Sequence, residues 1–127
     1  MKEAIKRITP DAEFFTPEQC YILELSNTPE DSEASIARAR ILPGVSTRWH
    51  KVIDTAERYV ILQGQGIVEI GELAPQEVGA GDVVLIPPSC PQRITNNGTD
   101  ELVLLAICTP RFLQENYLDI ELEQSLR

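Results

Sequence analysis

The side chains best able to carry out chemistry are concentrated in the stretch "RWHKVIDTAERYVILQGQG", residues 48–66. His50 is the only histidine of the chain, and Glu57 and Tyr59 follow it closely. An imidazole nitrogen and a carboxylate are good ligands for divalent first-row metals, and the same pair could transfer protons. A tyrosine phenol near a carboxylate can act as an acid or base when its pKa is shifted. The competing interpretation of Tyr59 is a wall residue whose hydroxyl finds a hydrogen-bond partner.

These side chains must be positioned by β-strands, because short apolar runs separated by Gly, Pro and Asn extend along most of the chain. This pattern predicts an all-β sandwich or barrel. Asn97-Gly98 between two strand-like runs predicts a type I′ hairpin, and the segment 72–82 is interpreted as turns. The residues after Pro110 predict a short terminal helix or an irregular tail. The predicted strands are 20–25, 35–42, 47–53, 57–63, 66–71 and 83–88.

Side chains alternate between the two faces of a strand. Arg48, His50 and Val52 should therefore share one face of the run 47–53. By the same parity Glu57 and Tyr59 share a face of the next run. Gln92 can lie on the corresponding face of a later strand. Alternation allows His50, Glu57, Tyr59 and Gln92 to line one interior cavity together, and we predict that they do.

The first of these segments resembles the first motif of the cupin superfamily, G-x5-H-x-H-x3,4-E-x6-G. This chain has Gly44, His50, Val52, Glu57 and Gly64 at the motif positions. The spacing is kept, but a valine stands where the family has the second histidine.

A later segment resembles the second cupin motif, G-x5-P-x-G-x2-H-x3-N. The matching positions hold Gly81, Pro87, Ser89, Gln92 and Asn96. The resemblance implies a single cupin domain over residues 1–127, an all-β jelly-roll barrel with its core at about 35–108. It also implies a homodimer that pairs through the first 35 residues.

The family's four metal ligands map onto His50, Val52, Glu57 and Gln92. Glutamine offers only a neutral carbonyl oxygen, and valine offers no donor. The resemblance therefore implies a reduced set, His50, Glu57 and Gln92, that could hold Zn, Mn, Fe or Ni with waters completing the shell. The alternative is that His50 hydrogen-bonds Glu57 or Gln92 in a polar pocket without a metal.

Arginines near these motifs suggest a site for an anionic ligand. Arg48 is predicted on the face of His50, and Arg40 alternates with Arg38 in "SIARARIL". An arginine inside a barrel would bind a carboxylate or phosphate through two hydrogen bonds. The alternative is that these arginines face solvent or another subunit and pair with surface acids.

The net charge and the hydropathy of the sequence limit the kinds of partner that are expected. A net charge of −9 repels phosphate backbones and anionic membranes, so neither nucleic acid nor a membrane is expected as a partner. The N-terminal residues lack the apolar core of a signal peptide, and no apolar run approaches the ~20 residues that span a bilayer. These features predict a cytoplasmic protein.

Two classes of function fit these observations. The first is a small-molecule-binding cupin, with Arg40, Arg48 and Gln92 as ligand-binding residues. The second is a metal-assisted isomerase, lyase or dioxygenase that acts on a small anionic metabolite, with His50, Glu57 and Tyr59 as catalytic residues. The sequence leaves open whether the protein is an enzyme.

Overall fold

The computed structural model describes residues 1–126, which are almost entirely β-strands and the turns between them. A five-residue helix, α1, ends the chain, and the three other helical segments are single 3-10 turns. The bounds are β1 Phe14–Phe15, β2 Tyr21–Ser26, β3 Ser35–Ile41, β4 His50–Val52, β5 Ala56–Gln63, β6 Gln65–Ile70, β7 Gln76–Gly79, β8 Val83–Ile86, β9 Gln92–Thr95, β10 Leu102–Thr109, β11 Tyr117–Asp119 and α1 Glu121–Ser125.

The strands form two antiparallel sheets that enclose the core. One sheet has the order β1-β2-β3-β10-β5-β8, and the other has the order β11-β4-β9-β6-β7. Strands that follow one another in sequence repeatedly belong to different sheets, as β4 and β5 do. The all-β barrel predicted from the sequence is therefore confirmed.

Alternation along β5 shows how the core and the site share the same strands. Glu57, Tyr59 and Ile61 are buried, whereas the residues between them are half-buried on the outer face. The interior behind Tyr59 is filled by aliphatic side chains from both sheets, which supply the hydrophobic stabilisation of the barrel. The fully buried ones are Ile41, Ile61, Ile94, Leu102 and Leu104.

The predicted hairpin at Asn97-Gly98 is wrong. β9 pairs with β4 and β6 in one sheet, whereas β10 pairs with β3 and β5 in the other. A type I′ turn requires positive φ at both central residues, and neither Asn97 nor Gly98 has it. Instead the buried Asn96 amide donates to the backbone oxygens of Ile41 and Asp100, so it supports a crossing from one sheet to the other.

The sequence pattern missed the two-residue edge strand β1, which pairs with β2, and two further strands. β7 lies in the segment 72–82 that was interpreted as turns, and it pairs with β6. β11 lies in the tail where only a helix or irregular structure was expected, and it pairs with β4. Both are short edge strands, so their pairing depends on a neighbour rather than on a long apolar run. Within residues 1–126, no helix is long and apolar enough to cross a membrane.

Candidate functional site

Four of the predicted site residues lie together inside the barrel. His50 on β4 is the register partner of Gln92 on β9, and Glu57 and Tyr59 come from β5 in the other sheet. All four residues are buried, with exposed fractions of 3% for His50, 8% for Glu57, 7% for Tyr59 and 1% for Gln92. The strand parity of the sequence thus predicted correctly that all four residues lie inside the barrel. The prediction that Gln92 lines the cavity is wrong, because only His50, Glu57 and Tyr59 do so, and the roles of the four in binding or catalysis stay predictions.

Gln92 connects the two residues of β5 through hydrogen bonds at both ends of its amide. The Tyr59 hydroxyl donates to Gln92 Oε1, and Gln92 Nε2 donates to Glu57 Oε1 at 2.7 Å. Gln92 itself lies behind these side chains and does not line the pocket inside the barrel. Its evident effect is to fix the orientation of the Glu57 carboxyl group and of the Tyr59 hydroxyl.

Burial dominates the electrostatics of Glu57 and Tyr59. Desolvation raises the pKa of Glu57, while the nearby His50 and the hydrogen bond from Gln92 act in the opposite direction. Desolvation also raises the pKa of Tyr59 well above its usual value, and the Glu57 charge adds to this effect. Tyr59 therefore keeps its proton at neutral pH and acts as a hydrogen-bond donor.

The orientation of the His50 ring is set by the Arg48 backbone and by two side chains outside the motifs, Glu18 and Tyr117. Its Nδ1 lies 2.8 Å from the Arg48 backbone oxygen and 3.2 Å from Glu18 Oε2. Because a carbonyl oxygen only accepts, Nδ1 carries a proton, and Nε2 is the acceptor when the ring is neutral. The ring also stacks on Tyr117, with 5.1 Å between centroids and an interplanar angle of 21°.

Glu18 and Tyr117 were missed by sequence reasoning. Glu18 lies in the loop before β2, and Tyr117 is on β11, which pairs with β4 so that Tyr117 is opposite Val52. Nothing in the sequence pattern around Glu18 indicates a site. For Tyr117, alternation in "NYLDI" could have indicated a strand, but its partner strand could not have been inferred.

A pocket with a volume of about 440 Å³ opens inside the barrel. His50, Glu57 and Tyr59 form its polar part, together with Glu18. The rest of the wall is largely apolar and includes Ile22, Ala39, Ile41, Ile94 and Leu104. A cavity of this size, apolar with a few convergent polar groups, is typical of small-molecule sites.

The prediction that Arg40 reaches the cavity is wrong. Arg40 Nε donates to Glu13 Oε2 at 2.8 Å, Nη1 donates to Glu101 at 2.7 Å, and the guanidinium lies over the Tyr21 ring. Its neighbours Ala39 and Ile41 fill the interior, so alternation places Arg40 on the outer face of β3.

The prediction for Arg48 is wrong for a different reason. β4 begins only at His50, so strand alternation does not extend back to Arg48. Its guanidinium pairs with Asp119 at 2.6 Å and is 41% exposed. Neither arginine lines the pocket, and the sequence-based expectation of an anionic ligand loses its basis.

The donors present do not fit the four-ligand metal site of the cupin motifs. Val52 is buried in the pocket wall, where a second imidazole would stand. Both ends of the Gln92 amide are occupied by Tyr59 and Glu57. Over residues 1–126, no three His, Cys, Asp or Glu side chains are grouped so as to hold a metal ion. Only His50 and Glu57 of the predicted set keep donor atoms for one.

The second motif is altered at Ser89 without loss of its backbone shape. Ser89 stands where the family has glycine, and it adopts φ 63°, in the left-handed region that glycine favours. Its amide donates to the Val52 backbone oxygen at 2.9 Å. The turn that leads into β9 and Gln92 is therefore retained.

A two-sheet antiparallel barrel with one histidine and one glutamate facing its interior defines a cupin-type protein with an incomplete ligand set. Comparison with known proteins agrees: residues 37–108 match the model of the cupin domain family. The chain belongs to this family.

The chain is also similar to a protein of known sequence and to solved structures. The chain is 31% identical over 105 residues to an uncharacterised protein, MJ1618, of Methanocaldococcus jannaschii, with 81% of this chain and 83% of that protein covered. A Klebsiella pneumoniae protein with a double-stranded β-helix domain superposes with a TM-score of 0.71 at 12% identity, covering 87% of this chain and 91% of that one. A predicted oxalate decarboxylase from Thermotoga maritima superposes with a TM-score of 0.66 at 26% identity, covering 72% and 80%.

Proposed function

We propose that this chain is a small-molecule-binding cupin that holds its ligand in the barrel pocket. The observation that carries the proposal is the pocket of about 440 Å³ into which His50, Glu57 and Tyr59 project. Its volume lies in the range of ~300–1,000 Å³ found for small-molecule sites. The Tyr59 hydroxyl donates its proton to Gln92, so its oxygen can accept a hydrogen bond from the ligand. The Glu57 carboxyl and the His50 ring provide further directional contacts, and the aliphatic wall provides the buried surface.

The alternative is a metal-assisted isomerase, lyase or dioxygenase acting on an anionic metabolite. The likeness to a predicted oxalate decarboxylase favours it, since oxalate is a dianion. The pocket gives it less support, because Val52 and Gln92 replace two nitrogen donors and no arginine of the described residues lines the wall. Binding without a tightly held Zn, Mn, Fe or Ni ion is the simpler proposal for this donor set.

The predicted homodimer stays a proposal, which the edge strand β1 supports. Phe14 and Phe15 on this strand are each about half exposed, and an unpaired apolar edge is a favourable place for another chain to pair. Light scattering of the purified protein would measure the mass of the assembly.

Ligand binding can be tested by thermal unfolding with a panel of small amines, alcohols and carboxylates. A ligand that binds only the folded state stabilises it by RT ln(1 + [L]/Kd), so the midpoint should rise with ligand concentration. Tyr59→Phe removes one hydroxyl and should weaken binding by about fivefold or more, the loss of one neutral hydrogen bond. Leu85→Ala, an exposed position on β8, is the matched control.

The same panel is run after dialysis against a chelator and after addition of each of the four metals. Binding that survives chelation and weakens in Tyr59→Phe supports the proposal. Binding that requires a stoichiometric metal would instead support the metal-assisted alternative, and equal weakening in Leu85→Ala would show that the pocket is not the site.

A further inference from the structure

The charged groups around the pocket are nearly all of one sign. Four carboxylates line it, from Glu18, Glu24, Glu57 and Asp119, and no lysine or arginine within the described part of the chain does so. His50 is the one lining side chain able to carry positive charge. An anionic ligand would therefore enter a wall of like charge, whereas a cation would meet opposite charge.

Two of these carboxylates are already accounted for. Asp119 is paired with Arg48 at 2.6 Å, and Glu24 is exposed to solvent. Glu18 and Glu57 remain, and among the described residues the His50 ring is the one group on the pocket wall that can counter their charges.

The charge of Glu57 is the less favourable of the two, because over nine-tenths of this residue is buried. Within residues 1–126, no arginine or lysine forms an ion pair with it, and its hydrogen-bond donor is the neutral Gln92 amide. A buried ionised carboxylate is unfavourable unless positive charge and hydrogen bonds compensate it. The pocket thus contains a site where an incoming cation would remove an unfavourable interaction.

Glu18 lies beside His50 on the wall of the same pocket. Its Oε2 is 3.2 Å from His50 Nδ1. Burial is the main cause of the raised pKa of Glu57, and the charge of Glu18 adds to it. Glu18 and Glu57 thus line the same pocket together with His50, and their like charges repel one another. A group with several N–H donors and a positive charge could hydrogen-bond both.

We infer that the ligand of this pocket carries a protonated amine, held between Glu18 and Glu57, with its hydrocarbon part against the aliphatic wall. This inference rests on the proposed function and names the ligand class for that same pocket. It assigns a specificity-determining role to Glu18, which lies outside both motifs. The apolar wall formed by side chains such as Ile41, Ile94 and Leu104 selects an alkyl or aryl amine over a strongly hydrated polyamine.

The test uses probes that share a similar hydrocarbon part and differ in the polar group and its charge. Benzylamine, benzyl alcohol and benzoate form one series, and hexylamine, hexanol and hexanoate form a second. Calorimetry at neutral pH measures the affinity of each for the full-length protein. A charge of opposite sign at about 4 Å favours binding and a charge of like sign opposes it, so each amine should bind at least about tenfold more tightly than its carboxylate partner.

Glu18→Gln keeps the shape of the side chain and removes its charge. It should weaken amine binding by about tenfold and leave alcohol binding unchanged. Glu72→Gln, at an exposed position on the turn before β7, changes the net charge equally and should leave both unchanged. Unfolding midpoints without ligand are measured for both variants, and the charge series on the unsubstituted protein tests the inference independently of them.

Two failures are distinguishable. Carboxylates that bind as tightly as amines, or a Glu18→Gln variant that weakens amine and alcohol equally, would overturn the inference and leave the pocket as a ligand site. If no probe shows saturable, Tyr59-dependent binding at millimolar concentration, the proposed function is overturned and the inference with it.

Discussion

Gly64 should be far less replaceable than Gly44, although both are motif glycines with similar backbone conformations. Gly64 alone joins β5, which carries Glu57 and Tyr59, to β6. Its φ is 84° and that of Gly44 is 81°. A Cβ added at Gly64 would lie 2.6 Å from the Glu101 backbone oxygen, whereas one added at Gly44 would have nothing within 4 Å.

These two observations separate conformational strain from steric overlap. A left-handed conformation costs an L-residue ~1–2 kcal/mol, and the reduced entropy of the unfolded chain offsets about 0.4–1 kcal/mol of that. Gly44→Ala should therefore lower the free energy of unfolding by about 1 kcal/mol. Gly64→Ala adds overpacking against backbone, which costs ~1–3 kcal/mol, so its total should be about 2–4 kcal/mol.

Urea unfolding followed by the fluorescence of Trp49, the only tryptophan, measures both values. In thermal unfolding, ~3–4 °C per kcal/mol is expected for a chain of this length, so Gly64→Ala should lower the midpoint by about 6–16 °C and Gly44→Ala by about 3–4 °C. Equal losses in the two variants would refute the reasoning, because they would show that strain alone decides and that the contact with Glu101 is relieved without cost.

Two further predictions concern the altered ligand set and the outer ion pairs. Val52→His should lower the Kd for Zn²⁺ at least about tenfold in a chelator competition, because imidazole replaces a side chain without a donor; an unsubstituted protein that already binds as tightly would contradict this. Hydrogen bonds from Arg40, then those from Arg38, hold the pKa of Glu13 at about 2, below its usual 4.5. Ionised Glu13 thus stabilises the fold above pH 4.5, and this contribution is lost as the pH falls towards 2. Glu13→Gln should lower the unfolding free energy by about 1–2 kcal/mol at pH 7, after allowance for solvent screening, and by little near pH 2; equal losses at both pH values in urea unfolding would contradict it.

Strand parity and turn spacing are local properties, and from them the sequence determined much of this barrel. Side chains alternate every two residues whichever sheet a strand joins, so His50, Glu57, Tyr59 and Gln92 could be assigned to the interior from the sequence. The motif positions Gly64 and Ser89 both have positive φ values, so the backbone conformation that glycine favours is kept even where serine replaces glycine.

Only the tertiary structure decided which segments meet at the site. β9 and β10 follow one another in sequence but belong to opposite sheets, so an apparent hairpin signal at Asn97-Gly98 was overridden by pairing with distant strands. Glu18 and Tyr117 reach His50 from segments outside the motifs. Arg40 faces outward to Glu13, while Arg48 precedes its strand and turns to Asp119. These outcomes depend on contacts between residues far apart in the chain, which local periodicity does not specify, and they determine that the pocket is acidic rather than basic.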